Sequence, residues 1–139
     1  SHDINPCIGC NSCFTRLGNE CFQKDDMQMV YEKLKTADVL VIASPVYFYG
    51  ISAQLKAIID RLHTPMRNEF PIKKLALILG GAATLPELFD SIKLQYKLVL
   101  SFFHLEDAGM VLVQGAKDIG DVKNTDGLDR AYELGLSIG

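Results

Sequence analysis

Apolar residues recur along the chain in two alternating patterns, one with helical spacing and one of short continuous runs. The helical spacing predicts helices over 27–37, 52–62, 84–103 and 127–137. The continuous runs, rich in Val, Ile and Leu, predict strands over 39–43, 73–80 and 110–113. Because such runs lack a polar face, the strands at 39–43 and 73–80 are expected to be buried on both sides of a parallel sheet.

Polar residues mark the ends of these elements. Asp25 and Asp26 precede the first predicted helix as capping residues, and Pro86 is typical of the first turn of the long helix. The alternation of strands and helices predicts an α/β protein with a parallel sheet, as a single domain over 1–139. Ligands bind at the carboxyl ends of the strands in such sheets, so the loops after 43, 80 and 113 are the expected site.

Composition and charge exclude several classes of function. The 139 residues are 48% hydrophobic and 22% charged, as in globular domains, and the formal net charge is −3. This acidic balance, without any dense basic stretch, argues against a nucleic-acid partner. The longest apolar runs, 39–46 and 75–83, are too short to span a membrane.

A segment over 4–26 contains every cysteine of the chain. The spacing C-x2-C-x2-C-x7-C is formed by Cys7, Cys10, Cys13 and Cys21. Closely spaced cysteines of this kind favour the ligands of a four-iron cluster, with Gly9 and Gly18 allowing the tight turns that such a loop needs. The four thiols are therefore predicted to be metal ligands.

Alternatives to the cluster remain open on the residues alone. Zinc or a two-iron cluster would use the same thiols, although zinc sites more often combine paired cysteines or histidines at longer separation. Free thiols or disulfides are the third possibility. The 118 residues after Cys21 contain no cysteine, so disulfides would close only small loops, and a cytoplasmic cofactor site is preferred.

The loop SPVYFYG over 44–50 is the second segment with chemical potential. It follows a predicted buried strand and contains Tyr47, Phe48 and Tyr49. Backbone amides and aromatic rings of such a loop suit the edge and face of a flat heterocycle. Composition alone favours the alternative that these rings pack into the protein's own core.

The sequence as a whole resembles the iron–sulfur flavoproteins of the flavodoxin-like NADPH-dependent FMN reductase superfamily. The resemblance rests on PCIGCNSC…C…DDM, on ADVLVIASPVYFYGISAQLKAIIDR and on GDVKNTDGLDRAYELG (120–135). The pattern S-P-V-Y-x7-L-K-x3-D-R indicates the superfamily, and the four cysteines indicate its cluster-bearing branch. A doubly wound, flavodoxin-like parallel sheet is therefore expected.

The resemblance also implies site residues. Those expected to line FMN are Ser44, Pro45, Val46, Tyr47, Phe48, Gly50, Gly80 and Gly81. Asp60 and Arg61 match a pair at a helix end for which an ion-pair or dimer contact is expected. No catalytic side chain is nominated, and His63 and His104 are interpreted as surface or packing residues.

The function implied is electron transfer with FMN and a 4Fe-4S cluster, with NAD(P)H or ferredoxin as the donor. The alternative is an NAD(P)H-dependent FMN or quinone reductase without a cluster, and a third possibility is a zinc-bound or redox-sensing interaction module. A homo-oligomer, dimer or tetramer, is also implied, in which the cluster of one subunit faces the flavin of another. The apolar surface of the 84–103 helix is expected to be part of the core or of an interface.

Part of the family pattern does not occur in this sequence. The family begins with a strand, a phosphate-binding loop of the type G-S-x-R…G-N-T, a helix and a second strand, whereas here the cysteine segment comes first. In the order 2-1-3-4-5 the first strand would pair with the 39–43 run. The sequence therefore predicts a chain that is incomplete at its N-terminus, with no assignable site for the FMN phosphate. Flavin binding would be weak if the chain were complete.

Overall fold

A computed structural model describes residues 2–139, which form two compact units. The first unit combines the chain up to Asp38 with Ala53–Ile72. It contains helices α1 (Met27–Leu34) and α2 (Ala53–Asp60), together with short 3-10 segments. The second unit combines Val39–Ser52 with Lys73–Gly139.

The second unit is built on a three-stranded parallel sheet in the order β1-β2-β3. Its strands are β1 (Val39–Pro45), β2 (Lys74–Gly80) and β3 (Glu106–Val113), and its helices are α3 (Asp90–Phe103) and α4 (Gly127–Ile138). The predicted α/β class with a parallel sheet is confirmed. No helix in residues 2–139 is long and apolar enough to cross a membrane.

The core of the second unit forms where β2 meets α3. Alternate residues of β2, Leu75, Leu77 and Leu79, are almost completely buried against Ile92 and Tyr96. The central strand is covered on both faces, as predicted. The prediction of burial on both faces is wrong for β1, in which Val41 is half-exposed; β1 is also an edge strand of the described sheet.

The long helix begins later than predicted. Pro86 lies in a series of turns before α3, in which the Leu88 amide donates to Leu85 O and the Asp90 amide to Glu87 O. Leu88 and Phe89 are both buried. The chain therefore turns through 86–89 with these two side chains in the core, and it becomes helical only at Asp90.

The third strand begins earlier than predicted. Its first residues, Glu106–Gly109, are polar or small, and the pairing with β2 is irregular between Leu75 and Ala76. Gly109 lies at φ +114°, and its amide donates to the Asp107 carboxylate at 2.8 Å. The apolar pattern does not reveal this part because the bulge interrupts the alternation of the strand.

Candidate functional site

The carboxyl ends of the strands bring two of the predicted loops together. Pro45 pairs in register with Gly80, and Gly80 with Val113. The Val46 amide donates to Gly80 O at 2.8 Å, and the Gly81 amide donates to Val113 O at 2.9 Å. The predicted flavin-lining residues after β1 and β2 therefore form one edge, at the position where parallel sheets bind ligands.

The aromatic loop turns tightly at this edge. Tyr47 and Gly50 exchange backbone hydrogen bonds of 2.8 and 3.0 Å, and the two residues between them, Phe48 and Tyr49, lie at φ 47° and 62°. Positive φ at two central residues is the mark of a type I′ turn, and it is uncommon for bulky side chains.

This turn directs the aromatic side chains outward. Tyr47 is 64% exposed, Phe48 97% and Tyr49 45%. The alternative that the three rings pack into the protein's own core is therefore wrong. Among the described residues the amides of Phe48 and Tyr49 have no hydrogen-bond acceptor, whereas those of Val46, Tyr47 and Gly50 are bonded within the protein. The loop thus presents rings and two amides to a ligand.

Two serines hold the loop in place. The buried Ser44 hydroxyl accepts a hydrogen bond from the Ser52 amide at 3.0 Å and donates to Pro45 O at 2.7 Å. The Ser91 hydroxyl donates to Tyr49 O. Ser91 was not predicted from the sequence, because it lies on α3, far along the chain from the aromatic motif.

The glycine pair Gly80-Gly81 serves two different purposes. A Cβ atom added at Gly80 would meet nothing within 4 Å, so the backbone is open to a ligand there. A Cβ at Gly81 would lie 2.8 Å from Leu88 Cδ2 and 3.5 Å from Val46 Cβ. Gly81 is therefore required for packing beneath the loop, and Gly80 lines open space.

The four cysteines are free thiols in the first unit. Cys7 and Cys10 are exposed, and Cys13 and Cys21 are half-buried. The loop between them turns through residues with positive φ, which are Gly9, Asn11, Gly18 and Asn19. The predicted disulfide alternative finds no bonded pair here. Within residues 2–139, no three His, Cys, Asp or Glu side chains are placed to hold a metal ion, so the metal-ligand assignment remains a prediction.

The Cys10 thiol lies beside a serine hydroxyl of the same loop. The Ser12 hydroxyl lies 3.3 Å from its sulfur. Hydrogen bonds from the Ser12 side chain and backbone lower the pKa of the Cys10 thiol. Hydrogen bonding of this kind favours the thiolate, which is the form that binds metals.

A buried ion pair lies beside the thiol loop, the segment 7–21 that begins and ends with a cysteine and contains all four. The Arg61 guanidinium donates to the Asp25 carboxylate at 2.5 Å, and the two side chains are only 3% and 1% exposed. The Tyr31 hydroxyl donates to Arg61 O at 2.8 Å, and burial raises the pKa of Tyr31 to about 12. The expected ion-pair role of Arg61 is confirmed, but its partner is Asp25, while Asp60 pairs with Lys56.

Asp25 replaces Asp26 as the residue that caps α1. Its carboxylate accepts from the Met27 amide at 3.2 Å, whereas the Asp26 side chain makes no capping bond. His63 and His104 are both exposed, in agreement with the prediction of surface or packing residues. The ring centroid of His63 lies 5.8 Å from that of Phe14, and His104 ends α3 in the left-handed conformation.

Acid is expected to weaken the first unit through Asp25. Burial opposes ionisation, but hydrogen bonds from Arg61 and from the Asn5 and Met27 amides outweigh it and lower the pKa to about 2 from its ordinary 3.8. The stabilisation of the folded state by ionised Asp25 is complete above about pH 5 and is lost as the pH falls through 3.8 to about 2, a difference of about 2 kcal/mol. Urea unfolding of wild type and Asp25→Asn should show a stability gap that narrows between about pH 5 and pH 2. A constant gap would contradict this assignment.

Comparison with known proteins identifies the family of this chain. A family model described as NADPH-dependent FMN reductase matches residues 2–117. The chain belongs to this family. An iron–sulfur flavoprotein from Methanocaldococcus jannaschii is 33% identical over 145 residues, covering 98% of this chain and 74% of the relative. Another from Archaeoglobus fulgidus is 34% identical, covering 81% of this chain and 55% of the relative, so the chain spans only part of both proteins.

A solved structure agrees with the fold of the FMN reductase family. The Trp repressor binding protein from Bacillus subtilis superimposes with a TM-score of 0.69 at 24% identity, covering 78% of this chain and 75% of that one. The predicted flavodoxin-like fold and the predicted relation to iron–sulfur flavoproteins are both confirmed. By family, the chain is an FMN-dependent oxidoreductase, as the sequence predicts.

Proposed function

We propose that this protein is an electron-transfer oxidoreductase that binds FMN at the carboxyl edge of its sheet and a 4Fe-4S cluster in its thiol loop. Two observations together carry the proposal: the aromatic turn at 47–50 exposes its rings, and a separate short loop contains four free thiols. The relatives named iron–sulfur flavoproteins support both cofactors. The cellular setting proposed is the cytoplasm.

The residues at the sheet edge fit a flavin. Exposed rings supply apolar area, the Phe48 and Tyr49 amides supply donors, and Gly80 leaves room for a close approach. Ser44 and Ser91 hold the turn, so the loop needs little ordering when a ligand binds. The residues proposed to line FMN are Ser44, Pro45, Val46, Tyr47, Phe48, Gly50, Gly80 and Gly81.

The donor set of the thiol loop fits an iron–sulfur cluster. It consists of four cysteines without histidine, and thiolates are the usual ligands of such clusters. Turns at Gly9, Asn11, Gly18 and Asn19 allow the chain to curve around a compact group. The ligands proposed are Cys7, Cys10, Cys13 and Cys21.

FMN supplies two-electron chemistry and the cluster supplies one-electron chemistry. A protein that binds both can therefore pass electrons between a two-electron donor and a one-electron acceptor, or the reverse. The role proposed for the protein is to bind and orient the two cofactors, and no side chain at the sheet edge is nominated to transfer a proton. NAD(P)H or ferredoxin is the proposed electron donor.

A homo-oligomer is also proposed. It is supported by a row of exposed apolar side chains on α3, formed by Leu94, Leu98 and Phe102.

One observation favours a second candidate function. The described residues contain no assembled group of three metal-binding side chains. A chain whose thiols hold no metal would be an NAD(P)H-dependent FMN or quinone reductase, in which the sheet edge alone carries the chemistry. The two candidates share the FMN site and differ only in the thiol loop.

Purification without oxygen should separate the two candidates. We expect FMN together with about four irons and four sulfides per chain, because four cysteines complete the coordination of one such cluster. Flavin fluorescence after acid release measures FMN, and colorimetric assays measure iron and sulfide. Flavin bands with neither iron nor sulfide would favour the cluster-free reductase, and zinc without flavin would contradict both candidates.

A further inference from the structure

The two ends of the thiol loop are joined by a polar network that neither the spacing of the cysteines nor the proposed cofactors require. Asn5 precedes Cys7 by two positions, and Asp25 follows Cys21 by four. The Asp25 carboxylate accepts hydrogen bonds from the Asn5 amide at 2.9 Å and from the Asn5 side chain at 3.3 Å. One carboxylate thus connects the entry and the exit of the loop.

Arg61 completes this network from outside the loop. Its guanidinium donates both to Asp25 and, at 3.2 Å, to Asn5 O. We call Asn5, Asp25 and Arg61 the clasp. Further bonds reinforce it on the same side, since the Asp3 amide donates to Asp26 at 2.8 Å and the Gln23 side chain donates to Pro6 O at 3.2 Å.

The segment after Arg61 also reaches the middle of the loop. The hydroxyl of Thr64, a buried residue, donates to Asn19 O at 3.3 Å. Asn19 lies between Cys13 and Cys21 at a positive φ of 54°. The loop is therefore fixed at its entry, its exit and one internal turn, while the sulfurs lie on the stretches between these points.

The clasp carries an unusual buried charge. Arg61 is almost fully buried, and its Nε has no hydrogen-bond partner in residues 2–139. A buried ion pair adds little stability over apolar residues of the same size, and an unsatisfied buried donor costs free energy. Such a group is best explained by a positional or electrostatic role. Burial opposes ionisation of Arg61, but its hydrogen bond to Asp25 raises the pKa above the ordinary value, so the guanidinium stays charged.

We infer that Arg61 is a positioning residue for the thiol loop: through its hydrogen bonds to the Asp25 carboxylate and to Asn5 O it holds the two ends of the loop together. The inference rests on the proposed function for the identity of the bound group, but not for metal binding itself. A loop with fixed ends loses less conformational freedom when its ligands close around a metal.

Cobalt binding tests the inference without any cluster or flavin. Co²⁺ bound to thiolates absorbs characteristically, so titration of the reduced full chain with Co²⁺ alone measures the affinity of the loop. We expect Arg61→Met and Asp25→Asn to weaken Co²⁺ binding about tenfold or more, as is usual when groups supporting metal ligands are lost. Arg61→Lys, which keeps the charge but loses the planar fork, should lie between Arg61→Met and wild type.

Asp60→Asn is the matched control. It breaks the exposed Lys56–Asp60 pair on the residue next to Arg61, so Co²⁺ affinity should stay within twofold of wild type. Circular dichroism of the metal-free variants shows whether each is folded. If Arg61→Met does not fold, the double variant Arg61→Met with Asp25→Asn leaves no unpaired buried charge and replaces it in the titration.

A folded Arg61→Met or double variant that binds Co²⁺ as tightly as wild type would overturn the inference. If instead the proposed function is wrong, wild type will bind Co²⁺ but assemble no cluster. The Co²⁺ affinities of wild type and the Arg61 variants would still decide the role of Arg61. Where a cluster does assemble, its reduction potential should fall in Arg61→Met, because removal of a cation disfavours the added electron. A change in folding alone would not shift that potential.

Discussion

Replacement of Cys10 by serine should abolish the iron content of the anaerobically purified protein while FMN remains bound. Cys10 lies in the exposed part of the thiol loop, and its sulfur is the one whose pKa the Ser12 hydrogen bonds lower. A serine hydroxyl is rarely ionised and binds iron poorly compared with a thiolate. Iron and sulfide per chain should fall from about four to near zero, and circular dichroism should be unchanged because the residue contributes nothing to the core.

The same loop provides the control for this experiment. Leu17 is 99% exposed between Cys13 and Cys21, so Leu17→Ser introduces the same hydroxyl without removing a thiol. Its iron content should equal that of wild type. Full cluster occupancy in Cys10→Ser would exclude Cys10 as a ligand, and loss of FMN as well as iron would show that the two sites do not assemble independently.

Gly81→Ala should lower the free energy of unfolding by about 1–3 kcal/mol and weaken FMN binding at least tenfold. The added methyl group would lie 2.8 Å from Leu88 Cδ2. Leu88 belongs to the buried core beside β2 and α3 and has little room to move. The loop after β2 must then shift, and it carries Val46 with it, because Val46 also packs on Gly81.

Gly80→Ala is the matched partner of this substitution. The neighbouring position faces open space, so its methyl group should leave the urea midpoint within error of wild type. It should nevertheless weaken FMN binding, since the methyl would occupy the space proposed for the flavin. Equal destabilisation by the two substitutions would contradict the packing role of Gly81. Unchanged FMN affinity in Gly80→Ala would exclude Gly80 from the binding surface.

The site could be predicted only in part, because some of its features depend on residues that are neighbours in the sequence and others on contacts between residues far apart in the sequence. The S-P-V-Y motif identified the aromatic loop, since strand, turn and ring residues are consecutive in the chain. The left-handed conformations of Phe48 and Tyr49 were not predicted, because neither residue is a typical turn former. The bonds from Tyr47 to Gly50 and from Ser91 to Tyr49 impose them.

The Asp25–Arg61 pair shows the same limit more clearly. The sequence identified both residues, one as a helix cap and one as a member of a helix-end pair. It did not join them, because 36 positions separate them. Charged residues near helix ends are usually solvated, and only their common burial distinguishes these two from Asp60 and Lys56.

Periodicity and spacing are enough to predict the parallel sheet, most of the strands and helices, and the two segments proposed to bind cofactors. These depend on periodicity and spacing, which are properties of neighbouring residues. Three features are visible only in the folded chain: which amides remain without an acceptor, which of two adjacent glycines packs against the core, and which carboxylate joins the ends of the thiol loop. These features depend on contacts between residues far apart in the sequence, because burial and unsatisfied hydrogen-bonding groups contribute to the free energy of folding only once those contacts form.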